Sequence, residues 1–299
     1  MRRASSLFAA LLSAAAASAQ PITAGITSEN YVDIGDAVAD LLNNSGINLS
    51  RLNVARTEDR PPALSPPRNP SSSRPSLPFK VRCPGGGAVE GRAADNDANG
   101  KLSPQDRFVT VYRACKLGGD PLDGRSEFTV TRHVVDGSLE TTELAFHFDA
   151  LGTPAMRWSG DATMVLTTDH AHDDESYVVT YHHLAVTRGT NTTYWDFTLE
   201  MTRPSMSPST ARINGTLTGP GATLKLTQNE DFVLSPGGTP QGGGLTVVDP
   251  QGGRLQVAAG TRRYNYRFHG PSQRDTDPGS RSFSARYPAA RSLGSVLWN

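Results

Sequence analysis

The stretch DNDANGKLSPQD, residues 95–106, sets oxygen-bearing side chains at its first, third, fifth, ninth and twelfth positions: Asp95, Asp97, Asn99, Ser103 and Asp106. Its sixth residue is Gly100, which turns sharply without the steric penalty a Cβ would bring. A loop that wraps one hard cation takes ligands at positions 1, 3, 5, 7, 9 and 12. Lys101, at position 7, would then give its backbone carbonyl, and Ser103 would act through a water. Leu102, at position 8, would anchor the loop to the core. Three carboxylates and several neutral oxygens suit a divalent ion that wants six to eight oxygen ligands. No thiolate or imidazole lies beside them to favour zinc or copper. Asp, Asn and Gly also make turns that bind nothing. The coincidence of Gly100 and Leu102 with the oxygen spacing favours one structural calcium ion.

The stretch resembles the calcium-binding loop of the EF-hand family, over 12 residues of 299. Upstream, CPGGGAVEGRAA offers three consecutive glycines where that family has a helix. Downstream, Ser103 as N-cap, Pro104 at the first position and Asp106 at the third could close a single helical turn. RFVTVYRAC then favours a strand through its β-branched and aromatic residues, although Phe108, Val111, Tyr112 and Cys115 also fit helical spacing. We expect a loop joining two strands. Asp106 stands where the family has a bidentate glutamate, which shortens the ligand by one methylene, weakens affinity and leaves magnesium as a competitor. The loop is also single, whereas EF-hand loops usually pair. More widely, ITSENYVDIGDAVADLL, the cysteine-flanked D-x-D-x-N-G-x-L-S loop and the β-rich remainder are similar to a group of uncharacterised secreted bacterial proteins. That resemblance implies no activity.

The elements around the loop follow from composition. Cys83 and Cys115 are the only cysteines. One intramolecular bridge is expected, against two buried thiols or an intermolecular link. A hairpin centred on Gly100 and Lys101 would pair Cys83 with about residue 118, three beyond Cys115, a slack that Gly85, Gly86 and Gly87 could absorb as a bulge. Such a bridge would clamp the base of the ion loop.

The chain opens MRRASSLFAALLSAAAASAQ, with a basic pair, a short apolar run and a small-x-small cleavage pattern, which predicts a signal peptide over residues 1–19. The apolar run is too short to span a bilayer as a helix. No lipidation cysteine follows, and the arginine pair lacks a twin-arginine continuation. We therefore expect an exported protein, periplasmic or extracellular. Without Arg2 and Arg3, 27 basic side chains face 29 acidic ones, a balance that argues against nucleic acid or an anionic membrane as partner.

Residues 20–56 read as an N-terminal helical segment. Tyr31, Ile34, Val38, Leu41 and Leu42 recur at helical spacing across 28–46, Gly46 sits at the stop, and Asp33, Asp36 and Asp40 form the polar face. This amphipathic helix should cover a sheet. Residues 57–78 form a Pro/Ser-rich linker, since proline removes backbone donors. Residues 79–299 read as an antiparallel β domain containing the calcium loop: short strands recur with turn signals, as a meander, sandwich or open barrel. In YWDFTLEM, Trp195, Phe197, Leu199 and Met201 share one face and Tyr194, Asp196, Thr198 and Glu200 the other. In LTVVDPQGGRLQV, Leu245 and Val247 can meet Leu255 and Val257 across a hairpin. An outer-membrane barrel is disfavoured because its lipid band would have to accept Lys225 and Arg254.

Two further signals have plainer explanations. DHAHDDES with His182 and His183 gathers four of the seven histidines, and a hairpin turning at 171–175 could bring His170 near His182 or His183 to hold zinc or copper. A solvated, charged hairpin explains them equally. In TRRYNYRFHG, Arg263, Arg267 and His269 alternate with Tyr264, Tyr266 and Phe268, which suits a base-stacking or glycan-gripping strand but equally a strand with one aromatic core face. No nucleophile elbow, metalloprotease helix, phosphate loop or dinucleotide fingerprint occurs.

The reading is a mainly β protein with an antiparallel sheet, one N-terminal amphipathic helix, one disulfide and one structural Ca2+. It would have a structural or binding role in the cell envelope, with an envelope polymer or glycan as candidate partner, rather than a catalytic one. The alternatives are a calcium-stabilised hydrolase acting on envelope polymers and a periplasmic carrier of an apolar ligand.

Overall fold

The computed structural model describes residues 25–44, 76–99, 102–116, 120–235, 240–260, 263–270 and 284–286. The segment read as a signal, linker residues 57–75, Gly46, Gly100 and Lys101 lie outside the described residues. Among the described residues, one helix, α1 (Tyr31–Asn44), precedes fourteen strands. These are β1 (Ser76–Arg82), β2 (Ala88–Ala94), β3 (Arg107–Cys115), β4 (Leu122–Asp136), β5 (Leu139–Gly152), β6 (Arg157–Asp169) and β7 (Asp174–Arg188). There follow β8 (Asn191–Arg203), β9 (Ser209–Thr218), β10 (Thr223–Leu234), β11 (Pro240–Val248), β12 (Arg254–Gly260), β13 (Arg263–His269) and β14 (Ser284–Arg286). They form one antiparallel meander in which every strand pairs with its neighbours in sequence. β1 begins at Ser76, inside the stretch read as linker, and places Pro78 on an edge strand, where a missing N–H need not break the ladder.

Alternation decides the faces. Trp195, Phe197, Leu199 and Met201 are buried, and the turn after Val248 sets Leu245 opposite Val257 and Val247 opposite Leu255, all four in the core. A single flat sheet buries neither face. Here the apolar faces of β2 to β13 join α1 in one continuous core, so the sheet curls around its own side chains. Aromatic rings link successive strands, Phe108–Phe128 at 4.5 Å between centroids, Phe128–Phe146 at 5.7 Å and Phe148–Trp158 at 6.3 Å, and Trp158 of β6 reaches across β7 to Trp195 of β8 at 5.8 Å. The opposite face carries charged and hydroxyl side chains, Lys225 and Arg254 among those exposed. Tyr264 and Tyr266 of β13 are buried, while Arg263 and Arg267 face water, so this strand offers no exposed aromatic ladder.

A seam of bulges runs across the sheet where it bends. Residues with positive φ recur at Ala114 in β3, Gly124 in β4, Ala150 in β5, Gly160 in β6, His183 in β7, Gly215 in β9 and Gly243 in β11. The pairing registers of β3 through β7 shift at these places. An N–H that a bulge turns out of the ladder needs another acceptor. Side chains on the adjoining strand supply it: Asp123 Oδ1 for Ala114 (2.8 Å), Ser159 Oγ for Ala150 (3.1 Å), Asp196 Oδ1 for His183 (2.7 Å) and Asn214 Oδ1 for Gln228 (2.9 Å). Glycine is required at Gly124, where a Cβ would lie 2.6 Å from Leu151 Cα.

The sequence places α1 over the end of this sheet. Thr27 Oγ1 accepts the N–H groups of Glu29 and Asn30, and Asn30 Oδ1 accepts the N–H of Thr27, so the first turn is capped reciprocally. Ile34, Val38, Leu41 and Leu42 are buried, and the helix lies against β12 and β13. Fourteen residues would be marginal as an isolated helix; each buried aliphatic contributes about 1.5–3 kcal/mol. Gly35 lets the Tyr266 ring lie against the helix backbone, since a Cβ there would be 2.8 Å from it. Tyr266 Oη donates to Asp36 Oδ1 at 2.8 Å. Asp36 is therefore half-buried and turned to the sheet, not on the solvent face with Asp33 as expected. Burial raises its carboxyl above the usual range, opposed by the Tyr266 hydroxyl and reinforced by the Asp33 charge. Just before the helix, Ile26 N–H donates to Asp249 Oδ2 at 2.5 Å. Asp249 is buried in the β11–β12 turn and also accepts the N–H groups of Gln251 (2.8 Å) and Gly253 (2.9 Å).

Candidate metal centre

Residues 95–106 connect β2 to β3, so the loop joins two strands. No helix enters it, in accord with the glycine run upstream. Its exit is a single turn. Ser103 N–H donates to Asp106 Oδ2 at 2.9 Å, Ser103 Oγ lies 3.2 Å from the same oxygen, and Asp106 N–H returns to the Ser103 carbonyl at 3.2 Å. This is the reach-back half of a capping box. Gln105, at φ 72°, ends the turn and β3 follows. The loop is then laced to β4, where Gln105 N–H donates to the Val130 carbonyl at 2.7 Å and Val130 N–H to the Asp106 carbonyl at 2.9 Å.

Asp95, Asp97 and Asp106 each present a carboxylate oxygen, and the three atoms lie within 4.8 Å of one another. Asp106 is 2 % exposed and its Oδ1 also accepts the Asn96 N–H at 2.7 Å. Asp97, on the exposed side, accepts the Asn99 N–H at 3.2 Å and the Asn99 amide at 2.6 Å. Local desolvation works against the Asp97 charge. Its hydrogen bonds, led by the Asn99 N–H and followed by the Asp95 and Ser103 side chains, outweigh that and hold its carboxyl below the usual range. The neighbouring Arg107 does not neutralise the cluster, because it is bound to Glu127 on β4 at 2.5 Å. Two unit charges at such separations repel by about 1 kcal/mol even in water, and a divalent cation between them turns repulsion into attraction.

The structure thus brings together Asp95, Asp97, Ser103 and Asp106, with Asn99 bonded to Asp97. Leu102 departs from expectation: it is 38 % exposed and anchors nothing. The buried residues of this segment are Ser103 and Asp106, and the backbone bonds of Asp106 fix the loop, a role the spacing does not announce.

The Cys83–Cys115 bridge is formed, with Cα atoms 5.4 Å apart. Cys83 follows β1 rather than opening β2, and the bridge lies at the end of the β2–β3 hairpin away from the loop. The three-residue slack is absorbed in the β1–β2 turn. Gly86 and Gly87 take φ values of 103° and 77°, Gly85 N–H donates to the Lys116 carbonyl at 3.0 Å, and Lys116 N–H to the Gly86 carbonyl at 3.0 Å.

The histidines are not gathered at the β6–β7 hairpin. Asp169 opposes Asp174 at its tip and Asp161 opposes His182, so His170 and His182 are separated by roughly 25 Å along the ladder. Each histidine finds a carboxylate or hydroxyl instead: His170 with Glu140 (2.8 Å), His172 with Asp169 (2.6 Å), His183 with Asp196 (2.9 Å) and His182 with Thr163 (3.0 Å). Among the described residues, no helix is long and apolar enough to cross a membrane.

No family model, curated protein or solved structure matches the chain.

Proposed function

We propose that residues 95–106 hold one calcium ion, through Asp95, Asp97, Asn99, the Lys101 carbonyl, Ser103 and Asp106, and that the protein is an exported β protein with a structural or binding role in the cell envelope. The observation that carries the ion is the convergence of the Asp95, Asp97 and Asp106 oxygens within 4.8 Å. The hard-oxygen donor set and the like-charge repulsion it must relieve suit calcium better than a softer metal. The formed Cys83–Cys115 bridge is consistent with an oxidising compartment, in line with the signal-like N-terminus. The inner face of the sheet is filled by Trp158, Tyr112, Phe197 and other side chains of the protein itself, which favours a structural role over that of an apolar carrier.

Calorimetric titration and thermal melting of the purified protein test the ion. A lone loop of this kind binds in the weak extracellular range, at a Kd of about 10⁻⁴ M. One millimolar calcium should then stabilise the fold by about 1.4 kcal/mol and raise Tm by about 3–6 °C over chelator. A protein whose melting ignores both calcium and chelator, with no heat of binding at millimolar ion, would show that the loop is only a turn.

A further inference from the structure

The outer face of the sheet carries a second group of metal-ligating side chains, on three adjacent strands and far from the calcium loop in sequence. His147 of β5 is the register partner of Asp161 of β6, and Asp161 is the register partner of His182 of β7. Register partners in an antiparallel sheet project from the same face, so the three side chains form one row, imidazole–carboxylate–imidazole. All three residues are exposed. We propose that His147, Asp161 and His182 form a surface site for a borderline divalent transition metal of the zinc or copper(II) class.

Two of the three side chains are already together, and the third is on the neighbouring strand in the same row. His147 Nδ1 and Asp161 Oδ1 are 2.7 Å apart. With metal–ligand bonds of about 2.0–2.2 Å, neighbouring ligand atoms in a coordination shell lie about 3 Å apart, so this pair already spans nearly one edge of a polyhedron. Strands are about 4.8 Å apart, which puts the two histidines roughly 9–10 Å from each other at Cα with the carboxylate between them. An ion above Asp161 is then within reach of both rings. Two rearrangements are required: the His147 Nδ1–Asp161 Oδ1 hydrogen bond must give way to the ion, and His182 Nε2, now 3.0 Å from Thr163 Oγ1, must give up that bond and lean towards Asp161. Glu127, on the far side of His147 in the same row, is held by Arg107 and Arg125 at 2.5 and 2.8 Å and is not available as a ligand. Two imidazoles and one carboxylate, with the remaining positions open to water, select zinc or copper over calcium or magnesium.

The test is titration of the full chain with Zn2+ and with Cu2+, in calcium excess so that the acidic loop is occupied by its own ion. One equivalent should bind saturably. His147→Ala and His182→Ala should each weaken binding about tenfold or more, while His172→Ala, at the β6–β7 tip, should leave it unchanged. The Cu2+ electron paramagnetic resonance spectrum should show coupling to two imidazole nitrogens in the wild type and to one in each weakened variant. All these side chains are exposed, so the variants should keep the wild-type circular dichroism spectrum. Wild-type affinity in either His147→Ala or His182→Ala, or loss of affinity in His172→Ala instead, would overturn the site.

Discussion

Asp196 of β8 holds His183 of β7 at two points: Oδ1 accepts the backbone N–H at 2.7 Å and Oδ2 meets the ring Nδ1 at 2.9 Å. His183 is at φ 50°, a conformation residues with a Cβ seldom adopt, and its ring stacks on Tyr194 at 4.3 Å. The pair is one unit of the bulge seam. Replacing Asp196 by Ala should cost about 1 kcal/mol, read as a lower midpoint in denaturant. Asp196→Asn keeps an acceptor for the N–H and should recover most of the loss.

In the 95–106 loop, the proposed ion should separate two aspartates by mechanism. Asp97→Ala removes a proposed ligand on the exposed side and should abolish the calcium-dependent rise in Tm while leaving the calcium-free Tm nearly unchanged. Asp106→Ala also strips acceptors from the N–H groups of Asn96 and Ser103, so it should destabilise by about 1–3 kcal/mol even in chelator. Equal calcium-free melting of the two variants would refute the stapling role.

The docking of α1 is open to a double-mutant cycle. Tyr266→Phe leaves the half-buried Asp36 carboxylate without its hydroxyl donor and should destabilise by about 1–2 kcal/mol. Asp36→Asn can still accept from Tyr266 and no longer buries a charge, so it should be neutral or stabilising at neutral pH. The sign in acid follows from the raised carboxyl. The folded protein holds the Asp36 proton more tightly than the unfolded chain, so this group favours folding as pH falls below its folded midpoint. Asp36→Asn should remove that slope from stability measured against pH.

At the β6–β7 tip, the His172 imidazole, the Ser138 side chain and the Ala171 N–H hold the Asp169 carboxyl down at about 2, and Asp169 in turn raises His172. The depressed Asp169 contributes stability above its ordinary value of 3.8, lost as pH falls towards about 2. The raised His172 contributes below the ordinary imidazole range, and that part is lost as pH rises through its folded midpoint. Asp169→Asn should bring the His172 midpoint, followed by NMR titration, back down.

Reduction of the Cys83–Cys115 bridge tests the clamp at the end of the β2–β3 hairpin opposite the loop. The cysteines are 32 positions apart, and closing a loop of that size contributes about 3–4 kcal/mol in the chain-entropy picture. The unreduced, denatured chain should show no titratable thiol.

What the sequence discloses is what lies within one element or one turn. YWDFTLEM and the 245–257 hairpin could be read because a half-buried strand must alternate, and the cluster of Asp95, Asp97 and Asp106 because its carboxylates are local to one loop. The curl of the sheet is not local. Ala114, Ala150 and His183 look ordinary until their neighbours on the next strand are known, and only the repeated pairs Asp123-Gly124, Ser159-Gly160 and Asn214-Gly215 hint at a bulge. Asp36 sits beside Asp33 on a helical wheel, and nothing short of the fold reveals Tyr266, 230 positions away. Leu102 misled because an apolar residue at that position suits a loop with a partner loop or helix to pack on, and this loop has strands on either side. The histidines misled similarly: proximity along the chain suggested the β6–β7 tip, while register sets His147, Asp161 and His182 in a row.

The sequential pairing of the sheet gives the fold a direction in time. Each of β1 to β13 finds its next partner among residues that follow soon after, so a chain emerging from its N-terminus can add strands one by one with little entropy lost to loop closure. The α1 segment is the exception. It is made first, yet its partners Asp249 and Tyr266 come 223 and 230 positions after Ile26 and Asp36. It must wait, apolar face uncovered, until nearly the whole sheet has been assembled, and its docking marks the moment at which the molecule is complete.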